Sequence, residues 1–482
     1  MSSAEFTREV GIVRATKHYL ISVEGLPSAH VHDIIVNEEG GRALITTLLH
    51  DAVEAMILDP FDAHPGQQFE LHERADHFSI GPHLLGRMVN ALGDPIDGKG
   101  GFPAKNAPFE IEREAGDLAR RSPITKQLVT GFSMVDTVLP IGKGQRQLLM
   151  GQVQSGTDAF CREVIRNQQG TDTVCMYVTI GKPAFFVRRL AEQLLVGPPA
   201  AYTTILASFS SDPAPLITLA PSVALYIAEY WSEQGKDVVL VFDDLYTHAK
   251  YLREIALLEG RLPGRDSYPG DIFYQQAHLI ERAGSFSGKG SITLLPVLQT
   301  DLESYTDLIM TNIMGTTDGH LSFSATQYAQ GVFPPILEEE SVTRVGKHTQ
   351  SALQKQLSTA IMALLAEAKE HERYMQFGAQ VSETSTNLIT TAHAVRALLD
   401  QDENEHIPPD AQAIVLALPF TSFSSSKDPT FFLRNRAALR QVACGPDCAG
   451  LREMVRTESE FERFLHHVEE HAHVFIAVCH VY

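Results

Sequence analysis

The sequence predicts a multidomain α/β protein: a small all-β module at the N-terminus, a central core of parallel strands, and a helical C-terminal domain. Three observations carry this. Residues up to about 78 alternate short apolar runs with turn residues, the texture of a small β-barrel or sandwich. From about Gly81, apolar strand-like runs alternate with helix-length segments, as in a mostly parallel sheet. After Gly346, apolar residues recur at three- and four-residue steps. The boundaries expected are 9–78, 79–348 and 349–482.

In the first module the runs are Tyr19 to Val23, Asp33 to Val36 and Ala43 to Thr47, punctuated by Gly25, Asn37 and Gly40-Gly41. In the core the strand-like runs are Gln147 to Met150, Val174 to Ile180, Val238 to Phe242 and Ser291 to Val297. In the last domain Leu353, Leu357, Ile361, Leu364, Leu365 and Ala368 form an amphipathic stripe, read as a core face. Thr421 to Ser426 is a polar, Ser-rich loop.

Composition sets the outer limits. The chain has 482 residues, 44% of them hydrophobic and 20% charged, which is ordinary globular composition. A net charge of -20 argues against a duplex-DNA binder, although a local basic groove remains open. Five Cys do not make a disulfide framework in a chain this long, and Cys161 and Cys175 sit among apolar neighbours as buried thiols. The opening MSSAEFTREV has no apolar signal-peptide core. Leu216 to Trp231 is interrupted by Pro221 and Glu229 and falls short of a spanning helix. The expectation is a cytoplasmic protein that meets a membrane only through partners.

The chemistry-bearing stretch is Gly151-Gln152-Val153-Gln154-Ser155-Gly156-Thr157-Asp158, which follows an apolar strand and precedes a helix. Gly151 and Gly156 have the spacing of a phosphate-binding P-loop, in which backbone N–H groups curl around phosphate oxygens. Such loops end Gly-Lys-Ser/Thr. Here Thr157 stands where the cationic Lys belongs, and Asp158 where the Mg²⁺ hydroxyl belongs. Two glycines alone also fit a generic turn. Farther on, Val238 to Phe242 ends in Asp243-Asp244, which fits either a Walker-B strand with Asp243 on Mg²⁺ or an Asp pair capping a helix.

Longer segments decide between these readings. They include Leu84-Leu85-Gly86-Arg87, Leu92 to Gly100, Thr130-Gly131 through Asp136, Ile141 to Arg146, and Pro263-Gly264-Arg265. Tyr268 to Tyr274, Gly290 to Thr293, Thr317-Asp318-Gly319, Ser341 to Gly346 and Gln376-Phe377-Gly378 follow in order. From about residue 9 to about 400 the chain resembles the alpha subunit of the rotary F-type ATP synthase. Tyr268 to Tyr274 and Ser341 to Gly346 point away from the catalytic beta subunit and from secretion-system ATPases. The resemblance implies a barrel crown, a P-loop (RecA-like) core and a helical domain, in a ring alternating with a beta-type catalytic subunit around a gamma-type central stalk. It implies ATP or ADP with Mg²⁺ as cofactor, no nucleic acid, and a peripheral place on the cytoplasmic side of the membrane, in proton- or sodium-coupled ATP synthesis or hydrolysis. It maps the arginine lent to the neighbouring catalytic site onto Arg344, with Ser341 helping to place it.

Departures from the family qualify this. Gln152-Val153 replace an Asp-Arg, and Lys182 stands where beta has its catalytic carboxylate and alpha a Gln. Phe333 replaces an Arg before Pro334. Of two Gln near the adenine pocket only Gln401 is present, with Glu403 at the second, and Gly315 replaces an interface Ser. The N-terminal helix that docks the family to its peripheral stalk is largely missing, which speaks against ordinary stator attachment. The last seventy residues do not align. These changes predict no hydrolysis at the chain's own site and an empty P-loop closed by a Lys182–Asp158 pair. Service to a neighbour through Arg344 remains the leading function; a ring-forming pseudo-ATPase scaffold outside the synthase is the alternative. Cys444-Gly445-Pro446-Asp447-Cys448 and His466, His467, His471, His473, Cys479 and His480 are metal-ligand types without zinc spacing, read as solvated histidines and idle thiols.

Overall fold

The computed structural model describes residues 9–71, 77–103, 107–108, 113, 118–299, 307–376, 383–424 and 429–479. Phe377, Gly378, Ser425, Ser426 and His480, named above, lie outside them. Along the chain the strands are β1 (Val10–Lys17), β2 (Leu20–Glu24), β3 (Ile34–Asn37), β4 (Arg42–Leu48), β5 (Val53–Ile57), β6 (Gln68–Leu71), β7 (His77–Phe78), β8 (Met88–Val89) and β9 (Ala107–Pro108). Then come β10 (Gln147–Gly151), α1 (Thr157–Arg166), β11 (Thr173–Lys182), α2 (Ala184–Leu194), β12 (Thr203–Phe209) and α3 (Ala214–Glu233). These are followed by β13 (Asp237–Phe242), α4 (Leu245–Leu258), α5 (Ile272–Glu281), β14 (Ile292–Gln299), α6 (Leu308–Thr316), β15 (Gly319–Phe323), α7 (Ala325–Ala329) and β16 (Ile336–Thr343). The C-terminal part is helical: α8 (Ala352–Gln376), α9 (Glu383–Leu399), α10 (Pro409–Ala417), α11 (Pro429–Cys444), α12 (Ala449–Thr457), α13 (Phe461–Glu470) and α14 (Ala472–Val478).

The described residues fall into two compact units. One draws on Met1–Arg121, Gln169–Gln299 and Ser304–Thr316, the other on Ser122–Gln168, Thr300–Glu303 and Thr317–Tyr482.

The first unit opens with a closed barrel of order β1-β2-β5-β4-β3-β6, so the choice between barrel and sandwich falls to the barrel. Alternation turns Val13, Ile21, Val23, Ile35, Ile45 and Phe69 inward, all at most 1% exposed. Gly11 closes it tightly: a Cβ there would lie 2.5 Å from Val23 Cγ1. The same unit holds the parallel run β14-β13-β11-β12-β8. Its strands are near-continuous apolar runs because both faces are covered. The segment screened as a membrane candidate is α3, a buried core helix carrying Pro221. Among the described residues no helix is long and apolar enough to cross a membrane.

The second unit holds β10 paired in parallel with β15, which pairs antiparallel with β16. Its helices bury the stripe read from sequence: Leu353, Leu357, Ile361, Leu365 and Ala368 are at most 2% exposed. The unaligned tail is helical too, from α11 to α14. Cys161, Cys175, Cys448 and Cys479 are buried and Cys444 is exposed. Among the described residues no group of three His, Cys, Asp or Glu side chains could hold a metal ion.

Candidate functional site

The P-loop keeps its shape. β10 runs out at Gly151, where a Cβ would meet Ser155 Oγ at 2.5 Å and the Phe323 carbonyl at 2.9 Å. Gln154 (φ 65°) and Gly156 (φ 83°) are left-handed, which curls the backbone into the N-terminus of α1. A Cβ on Gly156 would lie 2.8 Å from the Tyr328 ring. Ser155 is buried, and its Oγ has no hydrogen-bond partner among the described residues.

The carboxylate of this loop is paired within α1. Thr157 is 1% exposed. Asp158 pairs with Arg162 one helical turn on, at 2.9 Å. The expected Lys182–Asp158 pair is therefore corrected: Arg162 neutralises Asp158, because the two share one face of α1. Tyr328 donates to Glu403 Oε1 at 2.9 Å. Burial first, then Glu403 and Asp158, push the Tyr328 hydroxyl up to about 12.

Aromatic rings pack beside the loop within the same unit. Phe333 is 3% exposed, with its ring centroid 5.2 Å from Phe132 and 6.4 Å from Tyr328. Phe132 lies 5.7 Å from Phe160 in turn. Gln401, expected near adenine, is buried and its amide is occupied. Its Oε1 accepts from Ser133 N–H at 2.6 Å, and its Nε2 donates to the Gly131 and Glu405 carbonyls at 3.0 and 2.9 Å. It buckles two chain segments together.

The two carboxylates after β13 have different partners. Asp244 caps α4, accepting from the N–H groups of Tyr246 and Thr247 at 3.1 and 3.2 Å. Asp243 Oδ1 accepts from Ile180 N–H at 2.9 Å, which ties the ends of two adjacent strands. Lys182 Nζ lies 3.8 Å from Asp244 Oδ2 and donates to Gln299 Oε1 at 3.1 Å. The ammonium is largely buried, so it takes the carboxylate at the neighbouring strand end.

The second candidate region lies at the end of β16. Ser341 fills the bulge between β15 and β16: its Oγ accepts from Ser322 N–H at 3.0 Å and donates to the Leu337 carbonyl at 2.6 Å. The hydroxyl thus faces the sheet and fixes the strand that leads to Arg344. Thr343 Oγ1 donates to the Pro140 carbonyl at 2.7 Å. Arg344 N–H donates to the Asp318 carbonyl, and the Asp318 carboxylate holds Arg146 through both Nε and Nη2, at 3.0 and 2.7 Å. Arg344 itself is exposed, and among the described residues its guanidinium has no carboxylate partner. Burial and the Arg344 charge hold His320, across the strand pair, below its usual range. Arg162, Tyr328 and the Arg146–Asp318 clamp were missed as site residues; the i,i+4 spacing of Asp158 and Arg162 was the available signal.

Residues 131–343 match the ATP synthase alpha/beta family, nucleotide-binding domain. Across most of its length the chain is similar to curated alpha subunits. It is 34% identical to ATP synthase subunit alpha 2 of Albidiferax ferrireducens, over 85% of this chain and 78% of that one. It is 34% identical to ATP synthase subunit alpha of Mycoplasma pneumoniae, over 87% and 81%. To that of Acholeplasma laidlawii it is 36% identical, over 84% and 81%.

Proposed function

The chain belongs to the F-type ATP synthase alpha-subunit family, and from that premise we propose that it is a non-hydrolysing ring subunit that lends Arg344 to the ATP site of a neighbouring beta-type subunit. The single observation that carries this is an exposed guanidinium with no carboxylate partner among the described residues, on a strand end pinned by Ser341, Thr343 and Asp318. A structural arginine would be expected in an ion pair. An arginine for a neighbour must instead be free of internal partners and held rigidly, so that its charge meets the transferring phosphoryl group.

The chain's own loop does not fit MgATP. Arg162, one turn along α1, is tied to Asp158, and the position of the phosphate-binding Lys is a buried Thr. The alternating ring, the gamma-type stalk and the coupling of proton or sodium flow to ATP turnover are part of this reading, as is a peripheral position on the cytoplasmic face.

The test is a reconstituted complex with beta-type and gamma-type subunits, wild type against Arg344→Ala. The variant should assemble normally and lose about 10³-fold or more in hydrolysis, the range of arginine fingers. Unchanged turnover, in complexes shown to contain the variant in full amount, would overturn the proposal in favour of a scaffold.

A further inference from the structure

On a chain of net charge -20, one cavity in the first unit concentrates positive charge. It measures about 190 Å³ and lies where α3 and α5 end. Arg113, Arg120, Arg282 and Lys289 line it, against the carboxylates Glu229 and Glu233.

Both carboxylates are shared. Glu229 takes Arg282 Nε at 2.8 Å and Arg113 Nη1 at 3.3 Å. Glu233 takes Lys289 Nζ at 2.9 Å and Arg113 Nη2 at 3.5 Å. Among the described lining residues four cations thus stand against two anions, and Arg120 has no carboxylate partner among the described residues.

The second observation is the buried guanidinium. The Arg282 side chain is 1% exposed, and its Nη2 has no hydrogen-bond partner. Buried donors in native proteins are almost always paired. The helix end does not explain the idle group, because Arg121 already donates to the Glu281 and Ala283 carbonyls there. A water could satisfy the Nη2 hydrogen bond, but it would leave the excess charge of the cavity uncompensated.

We propose that this cavity binds a phosphate-type oxyanion, with Arg282 Nη2 as its buried donor and Arg120 and Lys289 as its outer cations. Guanidinium groups suit phosphate because two parallel N–H groups match two of its oxygens. The cavity is smaller than the ~300–1,000 Å³ that drug-sized ligands fill. It therefore suits inorganic phosphate or a small phosphomonoester rather than a nucleoside triphosphate. The site lies in the first unit, whereas the P-loop belongs to the second, and it is independent of the function proposed for Arg344.

The experiment is calorimetric titration of the full chain at low ionic strength with inorganic phosphate, with glycerol phosphate, and with chloride as the control. The expected result is saturable one-site phosphate binding, weakened at least tenfold in Arg282→Gln and in Arg120→Glu, and unchanged in Arg14→Gln, an exposed arginine of the barrel. Arg120 is exposed, so its variant keeps the test alive should Arg282→Gln fail to fold. Tighter binding of glycerol phosphate would identify an ester as ligand; equal or weaker binding would identify the free ion. Absence of saturable binding, equal binding of chloride, or phosphate binding unchanged in Arg120→Glu would each overturn the proposal.

Discussion

Replacing Thr157 by Lys together with Asp158 by Thr should restore phosphate binding to the loop. The backbone is already in place, since Gln154 and Gly156 hold the left-handed turns that aim N–H groups into the curl. What is missing is charge. In the wild type the Asp158–Arg162 pair, at 2.9 Å, presents almost no net charge to a polyphosphate. The double substitution removes the carboxylate, frees Arg162 and adds an ammonium. A unit charge ~4 Å from a phosphate oxygen is worth about 4 kcal/mol in a surface-like dielectric. Asp158 is about one-third exposed, so its removal adds less than that full amount. One charge interaction is the minimum gain, which corresponds to roughly a thousandfold in affinity. Titration of MgATP should therefore show no binding by the wild type at micromolar concentrations, and clear binding by the double variant. Two results would refute the reasoning. Micromolar binding by the wild type that weakens in Asp158→Ala would mean that Asp158 serves as a Mg²⁺ ligand. A folded double variant without any gain would mean that the aromatic packing around Phe333, not charge, closes the site.

Other consequences can be measured directly. Gln401→Ala breaks three hydrogen bonds, two buried and one part-buried, and should cost about 2–4 kcal/mol in denaturant unfolding; a change below about 1 kcal/mol would contradict its role as a buckle. Burial holds His248 down to about 4, so the unfolded chain binds more protons below the ordinary His value and acid destabilises the fold. Between pH 7 and 5 this single group should remove about 2 kcal/mol of stability, a loss that His248→Gln should abolish relative to wild type. In Gly346→Ala the new Cβ would sit 1.7 Å from the Pro140 carbonyl. That overpacking should cost about 1–3 kcal/mol or more, read as a lower Tm, and should impair turnover in the reconstituted ring by displacing Arg344.

The elements most legible in the sequence were those whose burial is set by local pattern. The strands at Val174, Val238 and Ser291 and the stripe from Leu353 to Ala368 could be read because one face, or both, must be apolar whatever they pack on. Closure of the barrel was not legible, since it depends on β1 pairing with β6, nearly sixty residues away. The same distinction runs through the site. The loop frame follows from two glycines at fixed spacing, but the partner of Lys182 follows from strand order. β11 and β13 lie side by side with Val178 opposite Phe242, and that register brings Lys182 to Asp244. Asp158 needed no topology, because a carboxylate and an arginine four residues apart on a helix meet on one face.

The two candidate regions differ in what their surroundings accomplish. Around the P-loop, several charged or polar groups have internal uses: Arg162 balances Asp158, Glu403 receives Tyr328, and Gln401 ties Ser133 to Gly131. Such groups contribute to stability where they are, and binding a polyphosphate would have to break them. Around Arg344 the reverse holds. Ser341, Thr343, Asp318 and Gly346 fix the backbone on either side of it, yet the guanidinium that they support makes no ion pair among the described residues. An exposed arginine without a carboxylate adds little to the stability of its own chain. A strand end held this firmly around such a group is what the proposed function requires, in which the anion is the developing charge of a phosphoryl group on a neighbouring subunit.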